Sequence, residues 1–470
     1  MYSLQYLPYG LVFAIAANAA QTSSGSSVVI SGTATSVGTS ELATPTGDYN
    51  TYGTTVTLTT TSSAITTEAI VSEVTSGSST YNVTLGSTTI LGIATTTGNS
   101  TASQTSSQIL LSGGSHTTLS ANSSSNATAT STSSSAKATN TTPCNNFVEF
   151  CSRKYSNITE VSAHNSPFVK PGNAAANQIL DVTSQLNDGV RLLQGQMHFV
   201  NSVPHFCHTS CDVLDAGPIT TYLAKVKTWV DSHPYDVVTI LLENGPYAPV
   251  TNYSSYIEST GLVNYAYIPS VIPMGLNDWP TLASMILTGK RVVFFMDYQA
   301  NQTAVPWIID EFASMYETPF DPTDRAFPCT AQRPPGVTYE SSQNLMLLVN
   351  HNLNFDITLL SVSLLVPSTP LLNETNAVSG YGSLGLAAEN CTATWGKPPK
   401  WLNVDYYNYG VGPDGNGSVF EVAATYNNVT YNRTCCGASS TSGANRMLDV
   451  AGRGALLVAA AIVGAAWMSL

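Results

Sequence analysis

The sequence predicts an α/β fold, a parallel β/α barrel, over residues 144–434. Short apolar runs alternate there with amphipathic stretches, and this succession is typical of a parallel sheet whose two faces are covered. The region has roughly 290 residues, which is close to the ~250 residues of one barrel. A doubly wound sheet has the same pattern, but no glycine-rich phosphate loop follows the first apolar run, so we favour the barrel.

Short apolar runs are predicted to be strands, and longer stretches with apolar residues at three- and four-residue spacing are predicted to be helices. The predicted strands are Thr159–Ala163, Val190–Leu193, Pro204–Cys207, Val237–Leu242, Arg291–Met296, Leu345–Val349 and Trp401–Val404. The predicted helices are Ile219–Ser232, Trp279–Thr288 and Trp307–Tyr316.

Residues 20–143 are predicted to be a disordered stalk. Ser and Thr dominate this segment and aromatic residues are few, so it cannot bury enough apolar surface to offset chain entropy. Such tracts in secreted proteins are commonly O-glycosylated. β-Branched runs such as Thr54–Thr61 leave open the alternative of short local strands.

The net charge of −13 and the isoelectric point near 4.8 argue against partners that a positive surface would attract. Nucleic acid and acidic lipid headgroups are therefore not expected as electrostatically steered partners. Only 10% of the residues are charged.

Both ends carry targeting patterns. An apolar stretch at residues 4–16 and the small residues of Ala17-Asn18-Ala19 predict a signal peptide over residues 1–19. At the other end, the apolar run Ala455–Leu470 follows the small residues Ser442–Ala444 and a polar spacer. That order predicts a signal for a glycosylphosphatidylinositol (GPI) anchor within residues 435–470. A C-terminal transmembrane helix is the alternative.

Glycosylation sequons and cysteines agree with secretion. Asn-x-Ser/Thr sequons occur from Asn82 to Asn432, as in a surface glycoprotein. All eight cysteines lie outside the stalk and predict disulfides. The local pairs are Cys144–Cys151 and Cys207–Cys211, while the adjacent Cys435 and Cys436 are each expected to reach back to another cysteine. A zinc site at Cys207, His208 and Cys211 is the rival interpretation.

Three reactive side chains end successive apolar runs. His164 stands in ITEVSAHNS, His208 in VPHFCHTSC and Glu243 in DVVTILLEN. In a parallel barrel the ends of the strands line one mouth. A lone histidine is more often structural, but two in succession favour a reaction that removes one proton and delivers another.

From about Cys144 to Thr434 the chain resembles the phosphatidylinositol-specific phospholipase C X-domain superfamily, and within it the fungal secreted phospholipase C-like phosphodiesterases. The resemblance is carried by SAHNSPF, QLNDGVRLLQGQMH, FCHTSCDVLDAGP, WVDSHPYDVVTILLEN, GKRVVFFMDY, LLVNHNL and WLNVDYYNYG. It implies a distorted (β/α)8 TIM barrel. It also implies that His164 takes the proton from an inositol hydroxyl and that His208 protonates the departing diacylglycerol oxygen.

The resemblance also locates a phosphate-binding set. Asn165, Gln194, Gln196 and Glu243 fall where one branch of the superfamily holds calcium, and the calcium-free branch has Asp and Arg where the two glutamines stand. Because neither set is complete, we predict no metal cofactor and do not favour calcium. Gln194 and Gln196 share a strand face opposite to Arg191, so that arginine does not replace the missing charge.

Further polar residues are expected around the two histidines. Asp405 ends the last predicted strand and could hold the tautomer of His164, although an ordinary loop carboxylate is the alternative. His198 and His351 are predicted near the mouth, where either could bind phosphate or serve a structural role. His205 precedes His208 by three residues and faces the other way.

The sequence therefore predicts a phosphoric diester hydrolase that is secreted and held at the cell surface by a GPI anchor. Its expected partners are a phosphatidylinositol-like or related phosphodiester and the membrane, with no nucleic acid. The competing class is a surface-display glycoprotein in which the barrel is weakly active or inactive.

Overall fold

A computed structural model describes backbone and side chains at residues 49–57, 142–356, 365–410, 418–433 and 435–437. Backbone alone is described at residues 13–15, 28–30, 61–76, 79–94, 108–111, 357–359 and 362–364. No helix in these ranges is long and apolar enough to cross a membrane. Most of the predicted signal peptide and the whole predicted anchor tail lie outside the described residues.

The described chain after Cys144 contains thirteen strands and eight α-helices. The strands are β1 Glu160–Ala163, β2 Leu192–Val200, β3 Val203–His208, β4 Leu214–Pro218, β5 Val238–Asn244, β6 Val271–Ile272, β7 Val292–Met296, β8 Ile308–Asp310, β9 Met315–Glu317, β10 Met346–His351, β11 Asn354–Leu359, β12 Val362–Pro367 and β13 Trp401–Val404. The helices are α1 Val182–Asp188, α2 Ile219–Ser232, α3 Thr251–Ser259, α4 Leu282–Leu287, α5 Tyr339–Ser342, α6 Leu372–Thr375, α7 Leu384–Trp395 and α8 Val419–Tyr426.

Eight parallel strands form a curled sheet in the order β8-β7-β5-β2-β1-β13-β10-β9. Within the described residues no backbone ladder joins β8 to β9. The barrel is therefore open along one seam, and the predicted distorted α/β barrel is confirmed.

The interior of the barrel changes from apolar to polar along its height. Near the amino ends of the strands, Leu192, Val293 and Trp401 pack in one cluster with Tyr155 and Trp279, which closes the base. Side chains two residues further along a strand point to the same face. Inward positions near the carboxyl ends are polar, and these line the mouth.

The outer faces of the strands pack on the helices. The α2 sequence ITTYLAKVKTWVDS has apolar residues at helical spacing, and its Leu223, Val226 and Val230 are fully buried against outward strand residues. α2 begins and ends where the sequence predicts. α4 is shorter than the predicted Trp279–Thr288, and it begins after Thr281, whose side chain accepts from the Ser284 amide.

The predicted helix at Trp307–Tyr316 is wrong, because the structure has β8 and β9 there. Both strands are buried on both faces, and four of their six residues are apolar. A short run of that kind fits helical spacing as well as a buried strand.

All seven predicted strands exist, but β3 is not a barrel strand. β2 extends beyond the barrel and β3 returns antiparallel beside it, with Met197 opposite Phe206 and Val200 opposite Val203. The close approach of β3 requires a glycine at position 195, because a Cβ there would be 2.9 Å from both Phe206 and Pro167. The hairpin brings His208 back to the mouth.

Residues 49–57, inside the predicted disordered stalk, are folded against the barrel, and we call this segment the strap. The Tyr49 ring contacts Tyr298 at 5.7 Å and Phe312 at 5.0 Å between ring centroids. The prediction of disorder is wrong for the strap, because its tyrosines supply the apolar area that the Ser/Thr-rich sequence lacks.

Polar contacts fix the strap at the seam. Asn50 Nδ2 and the Tyr52 hydroxyl donate to Oδ2 of Asp310 at 2.8 and 2.6 Å. Val56 and Thr57 pair with β6. Elsewhere in the predicted stalk, the backbone of 61–76, 79–94 and 108–111 forms an antiparallel sheet, in line with the alternative of local strands.

Four disulfides use all the cysteines. The predicted pairs Cys144–Cys151 and Cys207–Cys211 are confirmed, which removes the thiolates that a zinc site would need. Cys329 pairs with Cys391. The expectation that Cys435 and Cys436 each reach back is wrong, because they pair with each other once the other six are used.

Candidate active site

His164 and Asp405 form a hydrogen-bonded pair at the mouth. They directly follow β1 and β13, whose last residues Ala163 and Val404 lie side by side. His164 Nδ1 is 2.7 Å from Asp405 Oδ1, and Asn177 Nδ2 donates to the same oxygen at 2.9 Å. Since a carboxylate only accepts, we assign the ring proton to Nδ1. The lone pair of Nε2 then faces the mouth, as a general base requires.

The surroundings of His164 favour its protonated form. Burial lowers the pKa of the imidazole, but the charge and hydrogen bond of Asp405, with the charges of Glu243 and Asp321, raise it, and the net shift is upward. The carboxylate therefore both orients the ring and makes it a stronger base.

Two amides surround the open nitrogen of His164. Nδ2 of Asn165 is 3.2 Å from Nε2 and Nδ2 of Asn352 is 3.4 Å away. Asn165 has φ +48°, a left-handed conformation that asparagine tolerates better than most residues. This turn folds the Asn165 amide back beside the ring.

His208 lies at the end of β3 in a less polar setting. Its ring contacts Phe168 edge to face at 5.2 Å between centroids, and its buried Nδ1 has no hydrogen-bond partner among the described residues. Burial, with smaller contributions from His164 and His198, lowers the pKa of His208 to about 3. The second histidine is thus neutral in the free protein.

Six side chains below the histidines form a ring of five hydrogen bonds and one ion pair, which we call the floor ring. Asn403 Nδ2 donates to Gln194 Oε1 at 2.8 Å and to Asn350 Oδ1 at 3.0 Å. Gln194 Nε2 donates to Glu243 Oε1 at 2.7 Å, and Asn350 Nδ2 donates to Glu317 Oε2 at 3.1 Å. Arg333 closes the ring between the two glutamates. Its members are Gln194, Glu243, Arg333, Glu317, Asn350 and Asn403.

Several carboxyl groups at the mouth hold protons more readily than usual. Burial raises the pKa of Glu243, although Arg333 and His164 oppose the shift. Burial and the Glu243 charge raise the pKa of Asp297 to about 7, and burial raises that of Asp321 to about 6. Near neutral pH the mouth therefore carries less negative charge than its carboxyl count suggests.

The structure brings the predicted site residues to the mouth, where the three catalytic candidates occupy the positions given above. Gln196 Oε1 accepts from the Thr209 amide at 2.7 Å, which ties β2 to the turn after His208. Gln194 and Glu243 belong to the floor ring, and Asn165 contacts His164.

The other three histidines considered in the sequence analysis differ in their surroundings. His198 lies 3.2 Å from Gln196 Oε1 through Nε2. His351 points outward, where Nε2 bonds the Thr375 carbonyl at 2.9 Å and the ring stacks on Phe327, so its role is structural. His205 faces away and pairs with Asp215 at 3.0 Å.

Arg191 does not supply positive charge to the mouth, as predicted. It directly precedes β2 and pairs with Asp236 at 2.6 Å. Arg333, which the sequence analysis missed, lies 3.8 Å from Glu243 of the predicted phosphate-binding set.

The residues present do not fit a calcium site. Gln194 donates its amide nitrogen to Glu243 and accepts from Asn403 through its oxygen, so the side chain is held in the floor ring. Within the described chain no group of three or more His, Cys, Asp or Glu side chains is arranged to hold a metal. Calcium usually takes six to eight oxygen ligands.

Other mouth residues were missed because they follow no reactive motif. Asn350 and Asn352 continue the inward face of β10 beyond Leu348, and Asp297 continues that of β7 beyond Phe295. A period of two, extended past each buried strand, would have identified them. Arg333 and Asp321 lie in loops, where no such period exists.

Comparison with known families supplies the identity. The family model described as PI-PLC X 1 matches residues 150–417, more than half of the chain and all of the strands that carry the site. The chain belongs to the PI-PLC X family.

Relatives of known sequence include secreted and fungal members. An "uncharacterized secreted protein" of Arthroderma benhamiae is 54% identical over 310 residues, covering 66% of this chain and 70% of that protein. A PI-PLC X domain-containing protein 1 of the same fungus is 39% identical over 270 residues, covering 57% and 86%. A PI-PLC X domain-containing protein of Arabidopsis thaliana is 29% identical over 130 residues, covering 27% and 30%.

Solved structures that resemble the chain include phosphatidylinositol-specific phospholipases C from two bacteria. A mutant enzyme of Staphylococcus aureus has 12% identity and a TM-score of 0.41, covering 59% of this chain and 94% of that chain. The enzyme of Listeria monocytogenes has 11% identity and a TM-score of 0.36, covering 60% and 96%.

Proposed function

We propose that the barrel is a secreted phosphodiesterase that cleaves a phosphatidylinositol-like or related phosphodiester by two-histidine acid/base chemistry. The observation that carries the proposal is the 2.7 Å pair between His164 Nδ1 and Asp405 Oδ1, which leaves Nε2 facing the mouth. A hydrogen-bonded, correctly oriented base is the part of this chemistry least expected in a barrel kept only for structure.

The reaction needs a hydroxyl next to the phosphate. Nε2 of His164 takes the hydroxyl proton, and the oxygen forms a bond to phosphorus. The bond from phosphorus to the leaving oxygen breaks, and His208 donates a proton to that oxygen. The products are a cyclic phosphodiester and an alcohol, and the two histidines end with their protons exchanged.

The pKa shifts of the two histidines in the free protein disfavour the distribution of protons that the reaction needs. The competent form has neutral His164 and protonated His208, whereas the pKa of His164 is raised and that of His208 is lowered to about 3. Only a small fraction of the free protein is then competent. A bound phosphodiester anion beside His208 favours its charged form, so the substrate itself completes the site.

The experiment is a panel of phosphodiesters that differ in headgroup, assayed at several pH values with ³¹P NMR to identify the product. We expect a cyclic phosphodiester from substrates with a hydroxyl next to the phosphate. His164→Gln and His208→Gln should each lower kcat about 100- to 10,000-fold, while the outward-facing His205→Gln should not.

A linear phosphomonoester as first product, or parent-like turnover in His164→Gln, would refute this mechanism. No cleavage of any member of the panel by the folded protein would refute the proposed activity.

A second candidate function is surface display with a weak or inactive barrel. The observation that favours it is that amides stand at Gln194 and Gln196, which bring no net charge to the transition state. In that case the Ser/Thr-rich segment, the glycans and a GPI anchor would perform the function. Both candidates place the mature protein outside the cell.

A further inference from the structure

Arg333 enters the barrel through the open seam. The Gln332 amide donates to the Glu317 carbonyl at 2.8 Å, and the Glu317 amide donates to the Arg333 carbonyl at 2.7 Å. These bonds pair the segment with the free edge of β9. The alternation of an extended segment then sends the Arg333 side chain inward, where the residue is 5% exposed.

The guanidinium bridges the two glutamates of the floor ring. Nε and Nη2 of Arg333 lie 2.8 and 2.7 Å from Glu317 Oε2, and Nη2 lies 3.8 Å from Glu243 Oε1. The guanidinium also stacks on the Phe320 ring at 4.4 Å. Because Glu317 and Phe320 fix the orientation of the Arg333 guanidinium, this group can in turn hold the Glu243 carboxylate.

Glu243 is the part of this arrangement that reaches the mouth. Its side chain is 14% exposed, compared with none for Glu317. The same Oε1 that faces Arg333 accepts from Gln194, so the guanidinium and the amide together fix the carboxylate. The charged and titratable groups around Glu243 and its neighbour His164 are Arg333, Glu317, Glu311, Asp297, Asp321, Asp405 and His208.

We propose that Arg333 is a positioning residue of the mouth: it closes the floor ring, holds Glu243 against Gln194, and so fixes the negative charge that acts on His164. The importance of this charge for catalysis rests on the function proposed above. The arrangement itself is a property of the folded protein and can be measured without a substrate.

The electrostatics give the direction of each effect. Arg333 opposes the burial that raises the pKa of Glu243, so its removal makes Glu243 neutral over a wider pH range. The Glu243 charge raises the pKa of His164. Loss of either Arg333 or the Glu243 charge therefore weakens one of the contributions that keep His164 basic.

The test is an NMR titration of the full chain, with ¹³C detection of the Glu243 carboxyl and of the His164 imidazole. In Arg333→Gln we expect the pKa of Glu243 to rise by about one unit, as for loss of a nearby opposite charge. In Glu243→Gln we expect the pKa of His164 to fall by about half a unit.

The double variant separates the indirect effect from the direct one. Removal of the Arg333 guanidinium also changes the pKa of His164 directly. This direct change is measured as the effect of Arg333→Gln on the pKa of His164 in a chain that already carries Glu243→Gln. We expect the pKa of His164 to be lower in Arg333→Gln than that direct effect alone predicts. If the change is the same in both backgrounds, Arg333 does not act through Glu243 and the proposal is wrong.

Arg191→Gln is the matched control, because Arg191 is also buried and paired with an aspartate but lies at the base. It should lower stability and leave both titrations unchanged. If Arg333→Gln does not fold, Arg333→Lys is the variant to measure. The shorter lysine side chain loses the 3.8 Å contact with Glu243, so the pKa of Glu243 should still rise. An unchanged pKa of Glu243 overturns the proposal.

The outcome is independent of the proposed function. If no substrate is cleaved but the titrations shift as expected, the positioning role stands and the activity does not. If a substrate is cleaved, the acidic limb of kcat/KM should follow the pKa of His164 in each variant. If a substrate is cleaved but the titrations do not shift, the proposed activity stands and the positioning role of Arg333 is wrong.

Discussion

At the scale of single residues, the two histidines differ in what touches them. His164 has a carboxylate on one nitrogen and two amides near the other, while His208 has an aromatic edge and no partner on Nδ1 among the described residues. One ring is therefore held ready to accept a proton. Under the proposed function, the other becomes charged when an anionic substrate binds.

Asp405→Asn tests the first half of this contrast. Without the carboxylate, burial dominates and the pKa of His164 should fall below its ordinary value, as read by NMR. We expect kcat to fall as well, because an amide can stabilise the wrong tautomer of the imidazole. An unshifted imidazole titration would contradict the pairing.

The same pair predicts a dependence of stability on pH. The pKa of His164 is raised in the folded protein, so the stabilisation is complete below the unfolded value of about 6.5 and is lost as pH rises through the folded pKa. Urea unfolding of the parent and Asp405→Asn should differ more at pH near 5.5 than at pH near 8. A difference that grows with pH would be evidence against the raised pKa.

Metal dependence is also decided by single residues. Gln194 is held in the floor ring through both its amide atoms, which leaves Asn165 and Glu243 as the main hard donors of the predicted set. We expect a chelator to leave activity unchanged and calorimetry to detect no calcium binding at micromolar concentration. Loss of activity with the chelator, restored by micromolar calcium, would contradict this expectation.

At the scale of elements, the inward face of each strand explains which parts of the site the sequence could predict. His164, Gln194, Gln196 and Glu243 follow recognisable apolar runs, so the alternation of strands and the family motifs located them. His208 was also found, although β3 is a returning hairpin and not a barrel strand. The spacing of His208 from the preceding strand is the same whether β3 is a barrel strand or the returning strand of a hairpin.

Arg333 and the strap could not be predicted in this way. Arg333 reaches the site through the seam between β8 and β9, and the seam is visible only when the sheet is assembled. Tyr49 and Tyr52 stand in a Ser/Thr-rich tract whose average composition predicts disorder. Two tyrosines in a short segment are too few to change that average, but they are enough to fill one seam.

The strap makes a prediction at the scale of elements. Tyr52→Phe removes the hydroxyl that donates to Asp310, which is 2% exposed. Leaving a buried carboxylate short of a donor costs about 1 to 3 kcal/mol, so we expect a measurable fall in Tm. Tyr235→Phe, at a tyrosine that is 50% exposed, is the control and should have little effect.

Deletions extend the same test. A chain lacking residues 20–48 keeps the strap and should unfold like the parent. A chain lacking residues 20–57 loses the strap contacts at the seam and should be less stable. Equal stability of the two deletions would mean that the strap contact does not contribute to the fold.

At the scale of the whole molecule, the strap changes how the Ser/Thr-rich segment is attached. Val56 and Thr57 pair with β6, and Val271 of β6 packs on the same base cluster as Cys144 and Cys151. The described residues on the two sides of segment 58–141 therefore both contact the base of the barrel, which the linear order of a stalk and a domain does not suggest.

The attachment of the C-terminal end supplies the last prediction. The small residues Ser442–Ala444, the spacer and the apolar run Ala455–Leu470 have the order of a GPI signal, whose tail is removed when the anchor is added. We expect treatment of intact cells with an enzyme that cuts such anchors to release the protein to the medium. Mass spectrometry should then show that the released protein lacks the peptide that contains Trp467. Replacing Ser442–Ala444 with bulky residues is the control, because it blocks attachment and leaves the barrel unchanged. Protein that stays with the membrane and retains the Trp467 peptide would instead identify the terminal run as a spanning helix, as the alternative holds.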